Sequence, residues 1–204
     1  MGREQESRSF LVLASGLEKA VRRTELIHET ERILRRPAGS LRIAHDMAGC
    51  PRLLGAPGFI SLSHWPGGSA LAYDTWGRVG VDVQSFNERQ IHAFQTRFGT
   101  RGNLPAGLTP ARIWTRMEAI GKCLGRGLEA GFDRLFDMAT ASCPAHAFRE
   151  WLLERRFAVC LAFENPRAAN AVEIGLTGQA RLNLEPVAAT ESLSVTTLHE
   201  RMKA

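Results

Sequence analysis

No apolar run in the chain approaches the roughly 20 residues that a membrane-crossing helix needs. The early apolar stretch at residues 10–14 is too short for a signal peptide and follows acidic residues. A myristoylation pattern after Met1 and Gly2 would need Ser or Thr at position 6, which is Glu6. The four cysteines, Cys50, Cys123, Cys143 and Cys160, form no C-x-x-C pair and fit no zinc spacing. Reduced, buried thiols in a cytoplasmic protein are therefore expected. The six histidines are dispersed and no H-E-x-x-H occurs. No segment is low in complexity. The basic residues gather only as Arg22-Arg23, Arg35-Arg36 and Arg155-Arg156, without the Lys/Arg runs and interleaved aromatics of a nucleic-acid-binding module. Such a module would also show steep salt dependence.

What the chain does have is an ordinary globular composition. It is 204 residues long and 44% hydrophobic, enough for a sizeable core in one domain or two small halves. Its net charge of +5 favours anionic partners such as nucleotides, phosphates or an acidic protein surface.

The polar residues 1–8 read as frayed, and residues 9–14 as a short strand. Ser15 and Glu18 make a capping box for a helix running to about Arg36, before Pro37. Residues 41–43 read as a short strand and the Gly/Pro-rich residues 49–58 as a loop. Residues 59–63 alternate from Ile60 onward and read as a strand, followed by His64 and a turn at 65–68. Residues 69–74, a turn at 75–77 and residues 78–84 read as a hairpin. In its second strand Val79, Val81 and Val83 point one way, and Gly80, Asp82 and Gln84 the other. An acid in mid-strand needs a reason: solvent, a salt bridge or a cation.

Ser85 and Glu88 form a second capping box, for a helix with Ile91, Phe94 and Phe98 inward. Residues 99–108 are a Gly/Pro-containing connector, which sets a boundary between halves at 1–102 and 103–204. The next helix is the best marked. Thr109 caps it, Pro110 suits its first position, and Gly125 can end it. Ile113, Met117, Ile120 and Leu124 form its buried stripe, while Glu118 and Lys122, four apart, share a neighbouring face. Taken alone that pair is an ordinary surface contact. Residues 131–143 read as irregular, 144–155 as a helix, 156–164 and 171–176 as strands, and the tail from Thr177 as weakly patterned. Residues 70–83 and 160–176 echo one another, each opening Leu-Ala-aromatic-acid and each reading strand, turn, strand. The echo implies an α+β fold of two similar halves, with a cleft between them as the natural ligand site.

Three blocks stand in order: GCP followed by FISLSH within residues 49–64, VGVDV at 79–83, and WTRMEAIGKCLGRGL at 114–128. The arrangement resembles the 4′-phosphopantetheinyl transferases, specifically the larger pseudo-dimeric type acting on carrier proteins of polyketide, peptide and fatty-acid synthesis. The resemblance implies transfer of the phosphopantetheine arm of coenzyme A to a carrier-protein serine, with release of 3′,5′-ADP. It implies Mg²⁺ bound by Asp82 and Glu118, and Glu118 or a water on it as the base. It implies Lys122 as a phosphate and catalytic contact, and Ser63 and His64 as contacts to the adenosine phosphates. Arg22, Arg23, Arg35 and Arg36 are candidates for the 3′-phosphate. The expected enzyme is a monomer with an acyl or peptidyl carrier as partner, acting on neither nucleic acid nor membrane. Two positions depart from the family pattern: the acid after Asp-Val is Gln84, and the lysine before the glutamate is Met117. They motivate the alternative of a non-catalytic member that binds coenzyme A or a carrier protein.

Overall fold

Residues 9–15, SFLVLAS, are apolar toward both sides, and a strand of that kind needs cover on both faces. In the computed structural model they form β1 (Ser9–Ser15), buried along its whole length. The structure describes residues 8–16, 18–85, 87–99, 104, 107–141, 146–170, 172–178 and 182–187. The polar N-terminus up to Ser7, the boundary at 102/103, Cys143 and most of the tail lie outside the described residues. The remaining elements are α1 (Lys19–Ile33), β2 (Arg42–His45), β3 (Pro51–Leu54), β4 (Phe59–Trp65), β5 (Gly68–Asp74), β6 (Val79–Gln84), α2 (Glu88–Phe98), α3 (Pro110–Cys123), α4 (Phe132–Thr140), β7 (Ala147–Leu153), β8 (Phe157–Phe163), β9 (Val172–Gly178) and β10 (Leu184–Pro186). The fold is thus mixed α+β with several sheets.

One four-stranded sheet has the order β4-β5-β1-β9, a second the order β10-β7-β8-β6, and β2 and β3 pair by themselves. Leu11 and Leu13 of β1 pack with Val79, Val81, Val83, Leu161 and Phe163, so the two sheets meet face to face. The opposite side of β1, Phe10, Val12 and Ala14, packs under α1 and the β2–β3 hairpin with Leu26, Ile33, Ile43 and Leu53. The far face of the second sheet, through Cys160 and Ala162, is covered by α3 with α2 and α4. The layers run helix, sheet, sheet, helix.

α3 forms as its sequence dictates. The Thr109 hydroxyl accepts from the Arg112 N–H, Pro110 sits in the first turn, and Gly125 adopts a positive φ of 69° just beyond the end. Ile113, Met117 and Ile120 are fully buried, each worth about 1.5–3 kcal/mol of transfer from water. The helix lies directly on β6: a Cβ placed on Gly80 would stand 1.8 Å from the Ala119 carbonyl oxygen and 2.7 Å from the Cys123 nitrogen. The space that Gly80 leaves beside Asp82 is therefore filled by the backbone of α3.

Several local expectations are corrected. The strands at 69–74 and 78–84 are not a hairpin, because β5 belongs to the first sheet and β6 to the second. β8 and β9 likewise belong to different sheets, β9 pairing in parallel with β1. The residues expected as a helix at 144–155 instead hold β7, paired with β8 through a turn with positive φ at Glu154 and Arg155. Its Phe148, Trp151 and Leu152 fit helical spacing, but pairing and burial of Trp151, Leu152 and Leu153 override it. α4 forms in the stretch read as irregular, on Leu135, Phe136 and Ala139. β3 forms inside the expected loop at 49–58, and His64 lies within β4. α1 stops at Ile33, where Arg35 takes a positive φ, and Ser15 does not cap it: Glu18 is its N-cap, without a side-chain bond. The cap of α2 is Asn87, boxed with Gln90, two residues past Ser85. Among the described residues no helix is long and apolar enough to cross a membrane.

Candidate functional site

The serines of β4 define one wall. Alternation along β4 turns Ser61 and Ser63 inward, and both are buried. Ser61 Oγ accepts the Val81 N–H at 3.0 Å and Ser63 Oγ accepts the Val83 N–H at 3.2 Å. They satisfy the edge of β6 that does not pair with β8, and so join the two sheets. Ser63 also donates to Asp82 Oδ1 at 3.1 Å. Its hydroxyl proton is thereby committed to Asp82.

Asp82 is only 2% exposed. Its Oδ1 also accepts from Lys122 Nζ at 2.7 Å, and Lys122 donates to the Val81 carbonyl oxygen at 3.0 Å. Of the three reasons open to a mid-strand acid, a salt bridge is present. Asp82 Oδ2, however, is buried with no partner. Glu118 is partly buried on the same side of α3. Burial pushes its carboxyl above the ordinary glutamate value, the Asp82 charge adds to that, and Lys122 opposes it. Strand and helix thus bring Asp82, Glu118 and Lys122 into one electrostatic unit. Among the described residues no group of three or more His, Cys, Asp or Glu stands ready for a metal. Two carboxylates with one unpartnered oxygen suit a hard cation that keeps most of its water, as Mg²⁺ does, and do not suit a zinc-type site.

His64 points outward from β4, with Nδ1 2.8 Å from Ser69 Oγ, which also accepts from Arg22 Nε at 3.2 Å. Burial lowers its pKa, and the charges of Lys19, Arg22, Lys122 and Arg23 lower it further. The first turns of α1 and Lys122 therefore both set positive charge around His64. Arg23 also donates to the Ile43 carbonyl at 2.7 Å. Arg35 and Arg36 follow the other end of α1, roughly 20 Å along the helix from Arg22. They are not brought to this cluster.

Lys122 and His64 also line an open cleft of about 890 Å³ between the β2–β3 hairpin, β4 and the end of α3. The cleft is large enough for a nucleotide-sized ligand. Arg52, Arg78 and Arg126 line it; Arg52 is paired with Asp46 at 3.1 Å, and Arg78, Arg126 and Lys122 outweigh Glu129, so its charge is positive. Arg78 donates to the Leu124 carbonyl at 3.1 Å, tying the start of β6 to the end of α3, and Cys50 Sγ donates to the Gly125 carbonyl at 3.4 Å, closing the hairpin against the same end. Sequence reading missed these three arginines. They are scattered over some 75 positions and converge only in space. Arg126 carried the one available signal, its place inside the third block. Of the thiols, Cys123 and Cys160 are buried, and burial pushes Cys123 to about 12, while Cys50 is partly exposed in the cleft wall.

The two departures have structural settings. Met117 is fully buried in the core between α3 and its neighbours. Gln84 ends β6, partly buried. On another side of α3, Arg112 and Arg116 both bind Glu150 of β7, at 2.6 and 2.7 Å. Burial would raise the Glu150 carboxyl, but hydrogen bonds from the two arginines outweigh it and hold it below the ordinary value.

No protein-family model matches the chain, and no curated protein matches its sequence. The resemblance to the phosphopantetheinyl transferases rests on the residues of the three blocks.

Proposed function

We propose that the chain is a Mg²⁺-dependent phosphopantetheinyl transferase that moves the 4′-phosphopantetheine arm of coenzyme A onto a serine of an acyl or peptidyl carrier protein. It would act in the cytoplasm as a single chain made of two related halves. One observation carries the reading. The buried Asp82 carboxylate, with one oxygen unpartnered, perturbs Glu118 and is bonded to Lys122, which lines a basic cleft of nucleotide size. The motif residues of all three blocks thereby share one neighbourhood.

Asp82 and Glu118 would hold Mg²⁺, which when bound neutralises the charge of the diphosphate. The cleft takes the adenosine end, and its arginines balance the phosphates. His64, Arg22 and Arg23 serve the 3′-phosphate. Ser63, with its proton committed to Asp82, orients that carboxylate, leaving phosphate contact to its neighbours. Glu118 accepts the proton of the carrier serine, directly or through a water, which is worth on the order of 10²–10⁴ in rate. The serine oxygen bonds to the phosphorus bearing the pantetheine arm as the bond to the other phosphate breaks. The new charge leaves on 3′,5′-ADP, and Lys122 is the residue assigned to balance it.

Met117 and Gln84 favour a second reading, a member that binds coenzyme A or a carrier and transfers nothing. Intact mass of an apo carrier protein, incubated with the chain, coenzyme A and Mg²⁺, separates the two. A gain of one phosphopantetheine that EDTA abolishes establishes transfer. No gain on several carriers, with coenzyme A still bound, establishes the second reading.

A further inference from the structure

The described pairing of Lys122 conflicts with its proposed task. A lysine that is to balance phosphate charge in the cleft has its ammonium on Asp82 Oδ1 and the Val81 carbonyl. We infer that Lys122 is an exchangeable counter-ion: it holds Asp82 while the carboxylate pair is empty, and passes to an anion in the cleft when a divalent cation takes its place. This rests on the reading above that Asp82 and Glu118 take such a cation.

The structure shows the first position of the side chain, and its exposure leaves the second open. Asp82 is buried, and a buried carboxylate needs a counter-charge. Lys122 supplies it from one side only, leaving Oδ2 without a partner. The ammonium has three donors, of which two are used among the described residues. The Lys122 side chain is 27% exposed, against 3% for Asp82. It belongs to the cleft wall and contributes to the positive field on His64. A cation at Oδ2 would stand close to the ammonium on Oδ1, and two positive charges on one carboxylate repel. The flexible four-carbon stem is the part that can give way. Once displaced, the ammonium adds to Arg78 and Arg126 in the cleft wall and strengthens its hold on an anion. Cation and anion then favour each other, and by linkage each raises the affinity for the other by the same factor.

Mn²⁺ is a suitable probe, because electron paramagnetic resonance counts the free ion. In the full chain without nucleotide, Lys122→Met should bind Mn²⁺ about tenfold more tightly than the wild type, within the usual range of coupling between sites. Lys122→Arg, which keeps the charge, should bind as weakly as the wild type. If Lys122→Met binds Mn²⁺ no more tightly, the exchange is overturned while the cation site stands. If neither the wild type nor the two variants bind Mn²⁺ at millimolar concentration, the cation reading fails and the exchange with it. A measurement on the wild type guards against a misfolded variant. The chain has three lysines, Lys19, Lys122 and Lys203, so ¹⁵N-lysine spectra are simple to assign. The ion-paired Lys122 ammonium should give a protected signal that Mg²⁺ abolishes. Persistence of that signal at saturating Mg²⁺ overturns the inference.

Discussion

Gly80→Ala tests the contact that places the whole site. The added Cβ would stand 1.8 Å from the Ala119 carbonyl oxygen and 2.7 Å from the Cys123 nitrogen, where ordinary contact begins at 3.4 Å. Both obstacles are backbone, so no side chain can rotate away. The helix must retreat from β6 by about the 1.6 Å shortfall, or the strand must bend. Overpacking of this kind costs about 1–3 kcal/mol, and two rigid obstacles place this case at the upper end. For a chain of this size, 3 kcal/mol corresponds to a fall in Tm of roughly 6–12 °C. The same retreat draws Lys122 away from Asp82, whose pairing spans only 2.7 Å. The expected outcome is a folded but less stable protein with weakened coenzyme A binding, read by thermal melting and by calorimetric titration. A variant that melts within about 2 °C of the wild type, on that same scale, would refute the close packing of α3 on β6.

Three further outcomes are expected. Asp82→Ala should abolish transfer while circular dichroism stays native, since Lys122 is exposed enough to find water; loss of the fold would assign Asp82 a purely structural role. Met117→Lys, which installs the lysine of the family that the blocks resemble, should cost several kcal/mol in urea unfolding and bring no gain in transfer, because it places an ammonium in a fully buried position. Glu118 sets a pH dependence in the metal-free protein. Its folded carboxyl is raised by burial and by Asp82, so the stability it contributes is whole below its ordinary value of 4.5 and lost as pH rises through the raised value. Glu118→Gln removes that contribution, so the wild type's unfolding free energy should decline relative to the variant's across that window. A constant difference would contradict it.

The central helix was legible because its cap, first-turn proline, apolar stripe and terminal glycine all agree. β6 was legible from its alternating valines. Strand partners were not, because a three-residue turn between two strands does not say whether the second returns along the first. Pairing with β8, about 80 residues on, places β6 in the other sheet. β7 was misread because Phe148, Trp151 and Leu152 match a helical face, and only pairing with β8 distinguishes the two. In the site, Asp82, Glu118 and Lys122 could be singled out from their spacing and the resemblance. The hydroxyl bridge from Ser61 and Ser63 to β6, and the convergence of Arg52, Arg78 and Arg126, depend on long-range contacts that no local pattern encodes.

The exchange of strands between sheets bears on how the chain is made. β6 leaves the first-half strands to complete the sheet of β7 and β8, and β9 returns to lie beside β1, pairing Ser9 with Val172. A nascent chain carrying only the first hundred residues holds β1 with one flank open and β6 with no sheet to join. The first sheet closes only when β9 has emerged from the ribosome, and the second only when β10 has. Contacts of such sequence separation are entropically costly to form and slow to appear. Folding of these two sheets is then deferred until β9 and β10 have been made, and the sheets should unfold as one cooperative unit, not half by half.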